Sequence, residues 1–144
     1  MNAIEESKKS EYTYLPPIQE KYAFDDLIIS IVIDCYYGLD LVKQAVRSVL
    51  DQDYRNVELI IVDNGSTDNT QDWLRDNYQD SRIVYHYQLG SGSPASPRNT
   101  GISLSKGEWV CFLDSDDKWH QEKLKSVYEA VQLNADLSVV CHNE

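Results

Sequence analysis

Cysteine is scarce in this chain of 144 residues, positive charge is in short supply, and long apolar runs are missing. The three cysteines, Cys35, Cys111 and Cys141, are an odd number with no close pair. That argues against a disulfide framework or a zinc site and for reduced thiols. Lys and Arg number 13 against 24 Asp and Glu, a formal charge of -11. A field of that sign repels polyanions, so no nucleic-acid partner is expected. A phosphate ligand would need a metal ion or a placed arginine to neutralise it. Apolar stretches such as Leu27–Ile29 and Ile31–Ile33 are far too short for a bilayer, which takes about 20 residues. Met1–Ser10 is charged and lacks the apolar stretch of a signal peptide. The expected location is therefore cytoplasmic, a peripheral place on the cytoplasmic membrane face included. There is no G-x-S-x-G elbow, no Ser/His/Asp arrangement and no P-loop, and His86, His120 and His142 are scattered without ligand spacing.

What is present is enough for one domain. Hydrophobic residues make up 42% and charged residues 26%, and a chain of this length buries about 68–70% of its unfolded surface. Residues 1–26 are polar, contain Pro16-Pro17 and show no period, so they read as an extension. From Leu27 to Glu144 the pattern alternates. Leu27–Ile33, Val57–Val62, Arg82–Tyr87 and Glu108–Leu113 read as strands, and Leu137–Cys141 opens a fifth. Leu41–Leu50, Thr70–Tyr78, Pro97–Ser105 and the stretch around Leu124–Val131 read as helices. Strand and helix in alternation predict an α/β fold, a mostly parallel open sheet with helices on both faces. Right-handed crossovers bring every strand's carboxyl end to one edge, where ligands of such sheets bind.

The residues that follow the strands are therefore the informative ones. Asp114-Ser115-Asp116-Asp117 sets three carboxylates within four residues, just past an apolar strand. Such a cluster suits a hard divalent cation bridging a diphosphate, or a turn capping the next helix. Asp63, past the second strand, faces the shared edge, where it can accept from a base or a ribose hydroxyl; Asn64-Gly65 and Ser66–Asp68 also read as turn and cap. Gly90-Ser91-Gly92-Ser93-Pro94-Ala95 fits G-x-G-x-x-A formally but follows the third strand, and Pro94 and Pro97 should delay the helix, so it reads as a flexible loop. Arg98 can fork onto a phosphate or stay a surface arginine.

Ile29–Ile33, Gln44–Gln52, Glu58–Asp68, Pro97–Ile102 and Gly107–Asp117 occur in an order and spacing that resemble family 2 glycosyltransferases of the GT-A, Rossmann-like fold. The likeness runs over roughly residues 27–141. It implies a nucleotide-diphosphosugar donor, a UDP-sugar foremost, and a divalent metal, Mn²⁺ or Mg²⁺. It implies that Tyr36, with Cys35 beside it, lies against the base, that Asp63 holds the base, and that Arg98 lies near the nucleotide. It implies that Asp114 and Asp116 form the D-x-D pair on ribose and metal-bound diphosphate, Asp116 being the stronger metal ligand.

Three departures stand out. The family's Pro-Thr-Tyr-Asn is Asp34-Cys35-Tyr36-Tyr37 here, and its common second aspartate after the second strand is Asn64. The family also keeps its acceptor site and catalytic base in a further half, so residues 27–144 are expected to hold the donor half alone, with no catalytic residue assigned. The acceptor, be it glycan, lipid or protein, is open, and the unfinished sheet edge invites self-association. Two other readings stay open: a non-catalytic nucleotide-sugar-binding module, and a different α/β nucleotide binder.

Overall fold

A computed structural model describes residues 27–77 and 79–141. The extension read at residues 1–26, Tyr78 and His142 lie outside the described residues. Four strands, β1 (Ile29–Cys35), β2 (Val57–Asp63), β3 (Ile83–Tyr87) and β4 (Trp109–Asp114), alternate with four helices. These are α1 (Leu39–Leu50), α2 (Thr70–Asn77), α3 (Ala95–Leu104) and α4 (Lys123–Leu133). The sheet is wholly parallel with order β3-β2-β1-β4. β1 and β2 are β-branched and buried on both faces, as central parallel strands are.

The chain winds from β1 through β2 to β3, then crosses back to lay β4 on the other side of β1. The β1/β4 seam is thus a topological switch point, the place where open α/β sheets receive ligands. One face carries the larger core, in which Ile31, Ile33, Leu59 and Ile61 meet Val42 and Val46 of α1, Leu74 of α2 and Leu124 and Val131 of α4. The other face is covered by α3 over Val32, Ile60 and Val62. α3 lies so close that a Cβ on Gly101 would stand 2.3 Å from Val32 Cγ1. Among the described residues no helix is long and apolar enough to cross a membrane.

Strand and helix positions agree with the alternating pattern, with three corrections. Asp34, Cys35, Asp63 and Asp114 are the last residues inside their strands, not the first beyond them. α3 begins at Ala95, because Pro94 precedes the helix and Pro97 occupies its first turn, where a missing N–H costs nothing. Leu137–Cys141 forms no strand. Leu137 and Val140, three apart, pack on the larger core while Val139 is exposed. That periodicity seats the segment without a ladder, so among the described residues β4 is an edge strand.

Candidate functional site

The level register of the strands does most of the assembly. Asp34 lies opposite Asp114, and Cys35 opposite Asp63. A cavity of about 510 Å³ opens above these ends, lined by Asp34, Cys35, Tyr36, Asn64, Gly90, Gly92, Ser93, Pro94 and Ser115.

Asp34 and Asp114 are register partners on adjacent parallel strands, so their like charges need a counterion. Arg98, in the first turn of α3, provides it. Its Nε donates to Asp34 Oδ1 at 2.9 Å and its Nη2 donates to Asp114 Oδ1. The bond to Asp34, ahead of the charges of Asp34 and Asp114, holds the guanidinium above its ordinary value. Of the two readings open for Arg98, the structure shows it bridging two carboxylates at the cleft.

Asp63 is fully buried behind the cleft. Its Oδ1 accepts from the Ser66 backbone N–H at 2.7 Å and its Oδ2 from the Tyr85 hydroxyl at 2.9 Å. Burial, and then the bond to Asp63, push the Tyr85 hydroxyl far above its ordinary range, so it stays a donor. Cys35 forms part of the cleft wall. Burial, then the charges of Asp63, Asp34 and Asp68, push its thiol well above the usual range, which makes it a neutral, unreactive wall.

Tyr36 is 61% exposed, with its ring edge-on to Tyr37 at 4.4 Å between centroids. Tyr37 and Gly38 both take positive φ, 61° and 82°. The tyrosine tolerates this because its N–H donates to Ser66 Oγ at 2.8 Å and its hydroxyl meets Thr67 Oγ1 at 2.9 Å. The loops after β1 and β2 are thereby tied together.

The Gly90–Ser93 stretch, expected as a flexible loop, is also tied. Asn64 Oδ1 accepts from Gln88 Nε2, Ser91 N and Ser91 Oγ, and its Nδ2 donates to Ser93 O. Gln88 also donates to Ser96 Oγ and accepts from Thr100 Oγ1, which carries the network into α3. Beneath it, a Cβ on Gly65 would stand 2.6 Å from Gly90 N, so only glycine allows the loops after β2 and β3 to touch there. Asn64, a departure from the family pattern, thus has a use of its own: an aspartate could not donate to Ser93 O.

Asp116 is exposed in the turn that Asp117 N closes onto Asp114 O, and it accepts no hydrogen bond from the described residues. Among the described residues no three His, Cys, Asp or Glu side chains converge as a ready-made metal cage. Asp114 and Asp116 are hard oxygen donors two residues apart. They fit a cation of the Mg²⁺ type, which takes one or two carboxylates and completes its shell with phosphate oxygens.

The structure thus brings Asp34, Cys35 and Tyr36 to the cleft wall, and joins Arg98 and Asp114 to Asp34 beside it. It sets Asp63 one layer deeper and Asp116 on the rim. Sequence reasoning missed Tyr85. The signal was the period of two: Tyr85 is level with Ile61, and Asp63 is two residues further on the same face.

Residues 30–143 match the family model described as Glycosyl transferase family 2. The glycosyltransferase GlyG of Streptococcus pneumoniae is 36% identical over 118 residues, which are 81% of this chain and 38% of that protein. A UDP-Glc:alpha-D-GlcNAc-diphosphoundecaprenol beta-1,3-glucosyltransferase of Escherichia coli, WfaP, is 37% identical over 99 residues, 69% of this chain and 39% of that one. The S. aureus TarS structure in complex with UDP-GlcNAc superposes with a TM-score of 0.70 at 26% identity, over 74% of this chain and 32% of that chain. The chain therefore spans about two fifths of GlyG and WfaP.

Proposed function

Since the chain belongs to glycosyltransferase family 2 and has the GT-A arrangement, we propose that its cleft binds the nucleotide-diphosphate part of a UDP-sugar, whose sugar passes to an acceptor hydroxyl as UDP leaves. The observation that carries this is the position of the 510 Å³ cavity, over the β1/β4 switch point, where the aspartates ending β1 and β4 share one arginine. The similarity to TarS with UDP-GlcNAc and to the UDP-Glc-dependent WfaP supports uracil as the base.

In this reading the exposed Tyr36 ring offers a face for the base. Asp63, fully buried and fixed by Ser66 and Tyr85, shapes the base pocket from behind its wall. Arg98 supplies positive charge to the diphosphate in a chain whose net charge opposes it. Asp116 and Asp114 would hold the divalent metal, Mn²⁺ or Mg²⁺, whose chemistry is to neutralise the leaving diphosphate. The acceptor is a hydroxyl of a glycan, lipid or protein, and the reaction takes place at the cytoplasmic side.

Calorimetry of the chain with UDP, in Mn²⁺ and in chelator, tests this. Binding should be at least tenfold tighter with metal, and Asp116→Ala should erase the difference. Equal affinity in both conditions overturns the metal assignment. Failure of every nucleotide to bind overturns the donor-cleft reading itself.

A further inference from the structure

The two ends of the Arg98 bridge are unequal. The Nε end meets Asp34, whose side chain is 15% exposed, and the Nη2 end meets Asp114, whose side chain is 54% exposed. A half-exposed ion pair is screened and contributes little, whereas a shielded one bonds more firmly. The guanidinium is therefore held at its inner nitrogen and exchangeable at its outer one. Asp34, which the inner nitrogen meets, and Pro94, which accepts from the Arg98 backbone N–H, both line the cavity, so the arginine is held between two of its lining residues.

We propose that Asp34 is a positioning residue for the donor: it anchors Arg98 through Nε so that the outer nitrogens exchange Asp114 for a phosphate oxygen of the diphosphate. The inference rests on the donor-cleft reading above. Its chemistry is an exchange of ionic hydrogen bonds. When the diphosphate arrives, the N–H that Asp114 accepted goes to phosphate, and the released Asp114 carboxylate becomes free to serve ribose or metal. Asp34 stays bonded throughout. Without it the arginine loses the fixed end of its fork, and the orientation that makes a guanidinium specific for phosphate is lost.

The readout is the ratio of UDP affinity to uridine affinity, measured by calorimetry on the full chain with Mn²⁺ present. This isolates the diphosphate from the base. Asp34→Ala is expected to lower the ratio about tenfold, Arg98→Ala to lower it at least as much, and the double variant to fall no further than Arg98→Ala alone. Asp34→Asn, which keeps an oxygen for Nε, should lose only about threefold; if Asp34→Ala unfolds, this variant carries the test. A ratio unchanged in Asp34→Ala, or unchanged in Asp34→Asn where the alanine variant unfolds, overturns the inference, as does a double variant whose losses add. Those results leave the donor-cleft reading standing, whereas a wild-type chain that binds neither UDP nor uridine overturns that reading instead.

Discussion

At the scale of single residues, several carboxylates hold backbone N–H groups in place, Asp63 that of Ser66 and Glu58 that of Lys106 among them. Asp80 shows this outside the cleft. It accepts from the Arg82 backbone N–H, Nε and Nη2 at 3.0, 3.0 and 2.8 Å, fixing the turn that launches β3. The Arg82 side-chain bond, then the backbone one, hold its carboxyl down at about 2, against an ordinary 3.8. A depressed carboxyl stabilises the fold above its unfolded pKa, and that contribution is lost as pH falls from about 4 through about 2. Both side chains are roughly a quarter exposed, so screening trims the effect to about 1 kcal/mol. Asp80→Ala should therefore lower stability by about 1 kcal/mol at pH 7, a gap that closes by pH 2. Urea titrations at several pH values measure it, and a gap that persists at pH 2 would refute the assignment. The contrast with Asp63 shows what a sequence can reveal. That Asp63 sits at the ligand edge follows from its place at the end of an apolar run. The Ser66 N–H that holds one oxygen is three residues on, but that Tyr85 holds the other depends on the pairing of β2 with β3, which no local pattern encodes.

Elements are joined by a few buried amides and glycines. Gln52, fully buried past the end of α1, donates to Ser48 O at 2.9 Å and His120 O at 2.7 Å. It also accepts from Leu124 N at 2.9 Å, which caps the first turn of α4. Ser48 Oγ accepts from Trp119 N, and Asp53 pairs with Gln121 through backbone and side chain alike. This seam fixes the stretch from β4 to α4, which contains Asp116. Gln52→Leu keeps the volume but strands three backbone groups, so it should cost about 1–3 kcal/mol. It should also weaken the metal-dependent part of UDP binding. Thermal unfolding and calorimetry on one sample would show both, and a variant as stable as wild type would rule out the seam. The sequence places Gln52 in a stretch shared with the family, but its partners lie up to 72 residues away, which is why its burial was illegible.

At the scale of the molecule, the α/β pattern and the ligand edge were readable because parallel strands are apolar throughout and alternate with helices of period 3.6. The fifth strand was not, since five apolar-rich residues satisfy a strand pattern and a packed coil equally well. The charge inventory supports one more expectation. Asp34 and Asp114 are paired with Arg98, and Asp63 with Ser66 and Tyr85. In the proposed function Asp116, with Asp114, holds the metal. A general base must reach the acceptor hydroxyl with a free lone pair, and none of the carboxylates that end the strands is free to do so. The 144-residue chain should bind donor without transferring sugar to added acceptors. Acceptor-dependent release of UDP, followed by a coupled assay, is the check, and turnover above the hydrolysis background would contradict the allocation.

The sheet order has a consequence for how the chain reaches its shape. No two of the four strands are joined by a hairpin, and β1, buried along its length like β2, has neighbours on both sides. One of them, β4, arrives late: Ile28 and Glu108, bonded just before the two strands begin, are 80 residues apart in sequence. During synthesis Ile29–Ile33 is left half-paired until β4, Trp109–Asp114, has emerged. Domains dominated by such distant pairings fold in milliseconds to seconds, not microseconds, and through that interval the bare side of β1 is the surface most prone to mispair.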